Sequence, residues 1–355
     1  MTRTMKGMVL TGHGGPERME WHEDLAVPQP AAGEVQVRVL AAAVNNTDIN
    51  TRIGWYSKAV RGDTAQGAAS GYDGQADADG GWDGALQFPR IQGADCCGIV
   101  TAVGEGVSPD RIGERVLLRP MFAPAGDTSD LPLATLGSER DGAFAEYTTA
   151  EARHAIRVTS DLSDVELASF PCAFSTAEGM IQRGGLGAER VLITGASGGV
   201  GSAAIQLARR RGAHVTALSS PSKADALREL GANEVLDRDA PLPDAAFDVV
   251  LDLVGGPRWG DVLAALRKGG RYVTSGAIAG PIVELDLRTL YLRDLTLIGS
   301  TFQPDSVFTD LVGYIEAGEI RPTLARTFPL RELHAAQEMF LDKRHVGKIG
   351  ITVAE

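Results

Sequence analysis

The stretch RVLITGASGGVGSAAIQLARRRG, residues 190 to 212, restricts the possible folds more than any other part of this chain. It opens on a short branched apolar run, passes through a glycine-rich centre and ends in apolar residues at helical spacing. Ala196, Gly198 and Gly201 occupy the three positions of a G-x-G-x-x-G turn, with alanine replacing the first glycine. Such a turn between a strand and a helix lets backbone N–H groups approach a pyrophosphate and aims a helix N-terminus at its charge. Ala196, Ser197, Gly198, Gly199 and Val200 are therefore expected to line a nucleotide phosphate, and Gly201 to let the helix pack closely on the strand.

The surroundings extend this pattern. HVTALS (214 to 219), FDVVLDLV (247 to 254), GRYVTSG (270 to 276) and LTLIGS (295 to 300) are continuous apolar runs of the kind buried on both faces of a parallel sheet. Helical segments such as PSKADALRELG lie between them, closed by glycine. The succession predicts an α/β fold in which residues 160–301 form a Rossmann domain, a doubly wound parallel sheet. Residues 1–159 read as mainly β, with the two-residue period of Val35, Val37 and Val39 marking a half-buried strand. Residues 302–355, ending in the strand GKIGITV, are expected to return to that first domain.

One segment fits neither pattern. Residues 57–87 hold seven glycines and five aspartates in 31 positions, with Tyr72 and Trp82 as their large aromatics. They are expected to form a mobile insertion of low local stability, either a tolerated surface loop or a lid over a site.

Composition excludes several partners. With 34 basic and 46 acidic residues the net charge is −12, which argues against wrapping a nucleic acid backbone. No apolar run approaches the roughly 18 residues of a membrane helix. The N-terminus has no signal-peptide core. The cysteines are Cys96, Cys97 and Cys172, without a C-x-x-C pair, which excludes a disulfide framework and suits a reducing cytosol. A cytoplasmic protein is expected.

The choice of cofactor is read at the end of the second strand of the nucleotide domain. An NAD enzyme places a carboxylate there, about 20 residues after the glycine turn, to hold the ribose hydroxyls. Here the residues are Ser219, Ser220 and Lys223, with no acid among them. Hydroxyl donors and an ammonium suit a 2′-phosphate, so NADPH is expected over NADH.

AAAVNNTDINTRIGWY (41 to 56), IQGADCCGIVTAVGEGV (91 to 107), GERVLL (113 to 118), DGAFAEY (141 to 147), the GASGGVG turn and VGKIGI (346 to 351) together resemble the medium-chain dehydrogenase/reductase superfamily, specifically its zinc-free quinone oxidoreductase-like branch. The resemblance implies a GroES-like β-rich catalytic domain, a Rossmann domain and a substrate cleft between them. It implies a homodimer paired through the last Rossmann strand, LTLIGS. It also implies cofactor contacts from Thr176, Gly255, Gly276, Ala277, Ser300, Thr301 and Lys348, with Cys172 to Thr176 lying between the domains. Zinc members carry a cysteine three residues before an aspartate, a histidine in G-H-E and a cysteine before F-S-T. The matching positions here are Asn45, Ala94 and Cys172, so two of three ligands are absent and no metal is expected.

Asn45 and Tyr56 match positions near the nicotinamide and substrate in such relatives. Asn45 is expected to position cofactor or carbonyl, and Tyr56 to hydrogen-bond or protonate the substrate. Asp48 and Arg52 read as a structural pair, with Asp48 capping a helix start. Hydride transfer to a quinone or an α,β-unsaturated carbonyl suits a zinc-free cleft, because charge then develops on an oxygen that hydrogen-bond donors can hold. Two alternatives stand beside it: a carbonyl reductase or alcohol dehydrogenase of the same superfamily, and a non-catalytic NADPH-binding or sensing protein.

Overall fold

Six short strands between Arg190 and Gly299 lie parallel in one sheet of a structure that is a computed structural model describing residues 3–72, 76–122 and 134–354. Across the sheet they run Glu234–Asp237, His214–Ser219, Arg190–Ile193, Phe247–Asp252, Leu266–Thr274 and Thr296–Gly299. In chain order these are the third, second, first, fourth, fifth and sixth strands, the doubly wound arrangement expected from sequence. Val191, Leu192, Ile193, Val249, Val250 and Leu251 are fully buried, because helices cover both faces of the sheet centre. The helix Gly199–Arg210 buries Ala203, Ala204, Ile205, Leu207 and Ala208, and the small alanines let it lie close. The direction of winding reverses between the first and fourth strands, which opens a crevice beyond their carboxyl ends.

The first domain is organised on the long strand Glu34–Val44. It pairs antiparallel with Cys97–Val103, with Tyr147–Glu151 and with Lys348–Thr352 near the C-terminus. Lys348–Thr352 also runs parallel to Leu324–Pro329, so the chain end completes this sheet. The register sets Ile349 opposite Val44, which delivers Lys348 beside Asn45.

The return to the first domain comes later than residue 302. Helix Asp305–Glu316 buries Phe308, Leu311, Val312 and Ile315 in the same apolar cluster as Val191, Ile193 and the helix Pro171–Arg183. The crossing is completed only at Leu324–Pro329.

The insertion is not a detached loop. Residues 73–75 lie outside the described residues, but the remainder is folded onto the first domain. Asp63 caps a short helix, Thr64–Gly67, accepting from Gln66 N at 2.8 Å. Trp55 Nε1 donates to Gly62 O at 3.0 Å and the Tyr72 hydroxyl to Asp63 O at 2.7 Å. Arg52, fully buried, donates to Gly14 O at 2.9 Å, Gln337 Oε1 at 3.2 Å and Ala68 O at 3.3 Å. Arg52 is thus an anchor for the insertion; the expected pairing with Asp48 is not made, since Asp48 faces the other end of the helix. Thr64 N donates to Ile278 O at 3.2 Å, so the insertion reaches across the cleft to the Rossmann domain. Among the described residues no helix is long and apolar enough to cross a membrane.

Candidate nucleotide and substrate site

The glycine turn has the geometry a phosphate requires. Gly195 has φ +58°, in the left-handed region, and its carbonyl accepts from Gly198 N at 3.0 Å. A Cβ on Gly201 would lie 2.3 Å from Gly195 O and 2.6 Å from Ala196 Cα, so only glycine permits this closeness of helix and strand. Ala196 is buried, Ser197 and Val200 are half-buried, and Gly198 is exposed immediately before the N-terminus of Gly199–Arg210. The first domain closes on the turn from above, with Gly347 N donating to Ser197 O at 2.9 Å.

The remaining expected cofactor residues gather at the same edge. Ser219 ends the second strand and is buried, and the Ser220 hydroxyl lies 3.3 Å from that of Ser222. Lys223 donates to Ser197 Oγ at 3.3 Å and to Lys343 O at 2.6 Å. Gly255, Gly276 with Ala277, and Ser300 with Thr301 follow the fourth, fifth and sixth strands. Gly276 and Ala277 pack against the Leu253–Gly255 turn, while Ser300 is buried with its N–H on Thr274 O at 2.9 Å. Thr301 is exposed. Every one of these residues lies at a carboxyl end of the sheet, where ligands of open α/β sheets bind.

Sequence reasoning missed two groups here. Asp252, buried at the end of the fourth strand, accepts from the hydroxyls of Thr194 and Tyr272 and from Val254 N and Gly255 N. It thereby fixes the turn that carries Gly255. Lys343 comes from the first domain and donates to Asn46 Oδ1 at 3.1 Å. Burial, then the neighbouring Lys223, pulls its pKa down to about 8. Local sequence gives no signal for Lys343, because only the return of the chain brings it to the turn. Asp252 had one: a carboxylate closing the apolar run Val249 to Leu251, three residues before the pair Gly255–Gly256.

The reaction side of the cleft is built on the helix Asn46–Ile53. Asn45 precedes it, with its N–H donating to Asp48 Oδ2 at 2.7 Å, so Asp48 closes the helix start as expected. Burial raises the Asp48 pKa to about 7, against the pull of the Asn45 N–H and of Lys348. Asn45 Nδ2 donates to Asp95 Oδ2 at 2.8 Å. Lys348 Nζ meets Asp95 Oδ2 at 2.8 Å, Val44 O at 2.9 Å and the side-chain oxygen of Asn45. The other Asp95 oxygen accepts from Cys172 N at 2.7 Å. All three N–H groups of a buried ammonium are thus satisfied, as burial of a charge demands.

At the far end of the helix, Gly54 adopts φ +73° and turns the chain back. This return brings the Tyr56 hydroxyl to Thr47 Oγ1 at 3.1 Å, in the helix's first turn. Burial pushes the Tyr56 pKa up to about 12, while Thr47, Trp82 and Asn50 pull the other way. Cys172 lies in the first turn of the helix Pro171–Arg183, which carries Thr176 one turn later; burial, then Asp95, holds its thiol well above the usual range.

Residues 31–160 match the family model described as the alcohol dehydrogenase GroES-like domain, and residues 199–317 match that of zinc-binding dehydrogenases. The chain is a medium-chain dehydrogenase/reductase. It is 29% identical to an acryloyl-coenzyme A reductase of Metallosphaera sedula over 98% of this chain and 100% of that one. It is 30% identical to a 2-methylene-furan-3-one reductase of Solanum lycopersicum over 78% of this chain and 64% of that one. A crystal structure of a Sinorhizobium meliloti 1021 protein assigned as an alcohol dehydrogenase shares 45% identity, with a TM-score of 0.87, 99% of this chain and 97% of that one.

In this medium-chain dehydrogenase/reductase the donor set does not fit zinc. Asn45 and Ala94 stand at two of the expected ligand positions, and the Lys348 ammonium is paired with Asp95 beside them. Among the described residues no cluster of three His, Cys, Asp or Glu could hold a metal ion. The phosphate edge, in contrast, fits a dinucleotide: an exposed Gly198 before a helix start, a close glycine turn and Lys223 on Ser197 Oγ meet there, with Lys343 beside Lys223.

Proposed function

We propose that this protein is a zinc-independent, NADP(H)-dependent reductase of activated alkenes, including quinones and α,β-unsaturated carbonyls. The observation that carries the reading is the buried Lys348–Asp95–Asn45 network where zinc members place their metal. Without a Lewis acid, an alkoxide loses its main source of stabilisation, whereas an enolate oxygen needs only neutral donors. The names acryloyl-coenzyme A reductase and 2-methylene-furan-3-one reductase each describe a substrate with a carbon–carbon double bond conjugated to a carbonyl, which supports the same class here.

The cofactor would supply hydride when bound. Ser197 to Val200 would hold its pyrophosphate, and Ser219, Ser220, Lys223 and Lys343 the 2′-phosphate. Gly255, Gly276, Ala277 and Ser300 would run beside the nicotinamide half, with Thr176 and Thr301 at its margins. Asn45, whose amide N–H groups go to Asp95 and Ala43 O and whose oxygen accepts from Lys348, would position the substrate carbonyl by contact and not by donating to it. Tyr56 remains protonated at neutral pH because its pKa is near 12, so it serves as a donor to that oxygen. We place the protein in the cytosol, with Cys96, Cys97 and Cys172 as free thiols.

The 45% identical structure assigned as an alcohol dehydrogenase favours a second reading, reduction of a ketone or aldehyde. A screen following NADPH oxidation with quinones, enones, enals and saturated ketones, with metal content measured on the same sample, separates the two. Turnover of conjugated substrates by metal-free protein is expected. Turnover of saturated carbonyls alone supports the second reading, and cofactor binding without any turnover supports the non-catalytic alternative.

A further inference from the structure

The insertion sets a second donor against the reaction-site tyrosine. The rings of Tyr56 and Trp82 meet edge to face, with centroids 5.6 Å apart and planes at 66°. The backbone of Trp82 is held firmly: its N–H donates to Glu139 Oε1 at 2.8 Å, and Glu139 also receives Thr135 N and the Ser138 hydroxyl. Its neighbour Gly81 donates to Gly84 O at 2.8 Å, closing a tight turn. The indole is therefore presented from a fixed loop.

The indole Nε1 is buried and has no hydrogen-bond partner among the described residues. An indole N–H can only donate, and a buried donor without an acceptor is costly enough to be rare. This one lies near enough to the Tyr56 phenol to favour its charged form, yet outside hydrogen-bond geometry. Tyr56 itself gives its proton to Thr47 Oγ1, an acceptor that a substrate oxygen can replace. Two neutral donors and two aromatic rings thus share one corner of the cleft, near Cys172.

Resting on the reductase reading above, we propose that Trp82 Nε1–H and the Tyr56 hydroxyl form a two-donor hole for the carbonyl oxygen of a flat, conjugated substrate, with the indole and phenol rings packing against its plane. As the β-carbon gains hydride from NADPH, the donor C–H bond breaks with its electron pair, a new C–H bond forms, the double-bond pair shifts and negative charge collects on that oxygen. A proton from water, taken up at the α-carbon, then restores the carbonyl. Donors aimed at the oxygen act most strongly when that charge is greatest, so they lower the barrier more than they tighten binding.

Trp82→Phe keeps the ring and removes the N–H. Wild type, W82F, Y56F and the double variant are compared in two measurements. In kinetics with NADPH and methyl vinyl ketone or 1,4-naphthoquinone, W82F is expected to lower kcat about 100-fold with little change in KM. The double variant should lose less than the product of the two single losses, because the donors share one oxygen. In the second measurement para-nitrophenolate, which carries its charge on an oxygen as the enolate does, is titrated into the protein with and without NADP+. Wild type should bind it more tightly than W82F and shift its absorption band further. If W82F equals wild type in both kcat and spectrum, the two-donor hole is overturned. If wild type shows the spectral difference but reduces no enone or quinone, the hole stands and the reductase reading fails. If wild type shows neither, both fail.

Discussion

At the scale of single residues, charge decides most of what this site can hold. Lys223 and Lys343 converge on the glycine turn from different domains, and each is partly desolvated. A charge-assisted contact to phosphate is worth roughly a tenfold change in affinity or more. K223A is therefore expected to reduce the preference for NADP+ over NAD+ at least about tenfold, read from dissociation constants for both cofactors. Equal loss for both cofactors would place Lys223 on the shared pyrophosphate instead. The pH dependence has a definite sign. A lysine with its pKa lowered to about 8 is charged below that pH and neutral above it, so the NADP+ preference should fall as pH rises through 8 and beyond. K343Q should flatten that profile; an unchanged profile excludes Lys343 from the phosphate site. Asp252 acts through position. In D252N an amide N–H would face donors from Thr194, Tyr272, Val254 or Gly255, costing about 2 kcal/mol of stability in urea titration. The KM for cofactor should rise as well, because the Gly255 turn loses its support.

At the scale of elements, two connections matter. The helix Gly199–Arg210 can approach its strand only because residue 201 has no side chain. The neighbours of a Cβ there are backbone atoms, which cannot move aside cheaply. G201V is expected to cost about 1–3 kcal/mol or more and to abolish cofactor binding, measured by thermal melting and fluorescence titration. The other connection is the hydrogen bond from Thr64 N to Ile278 O across the cleft. Ile278 lies in the loop that also bonds Val254 through Ala279 N, so the insertion is tied to the nicotinamide side. Thr64 is the first residue of its helix, where proline is tolerated. T64P removes the donor without breaking the helix, with T64A as the control for the hydroxyl bond to Asn50. Faster cofactor release in T64P than in T64A is expected by stopped-flow; identical rates would reduce the contact to packing.

At the scale of the whole molecule, the last elements of the Rossmann domain leave apolar surface open. Ile282, Leu287, Tyr291 and Leu292 are more than half exposed, and the helix Leu287–Leu292 buries none of its residues. Beside them, Thr296–Gly299 is an edge strand, paired among the described residues only with Leu266–Thr274. An apolar patch next to an open edge is what a second copy would cover. We propose a homodimer through this surface. L292E together with L297E is expected to convert it to monomers in analytical ultracentrifugation; a wild-type monomer at micromolar concentration would remove the idea.

What the sequence alone determined follows from local rules. The strand, glycine turn and helix at 190 to 212 announce the nucleotide domain because apolar periodicity and glycine sterics act over a few residues. The losses at Asn45 and Ala94 were equally visible, since a ligand is present in a chain or it is not. Lys348 was legible only as a cofactor contact. Its pairing with Asp95 and Asn45 depends on the register of the C-terminal strand against Val44, which no local rule sets. The same holds for Lys343 at the glycine turn, and for the insertion. Its glycines and aspartates read as mobility, whereas Arg52, Trp55 and Tyr72 hold its backbone in place. The bonds of Lys348 to Asn45, of Lys343 to Asn46 and of Arg52 to Gln337 join residues some 300 positions apart, so they exist only once the chain end has returned to the first domain.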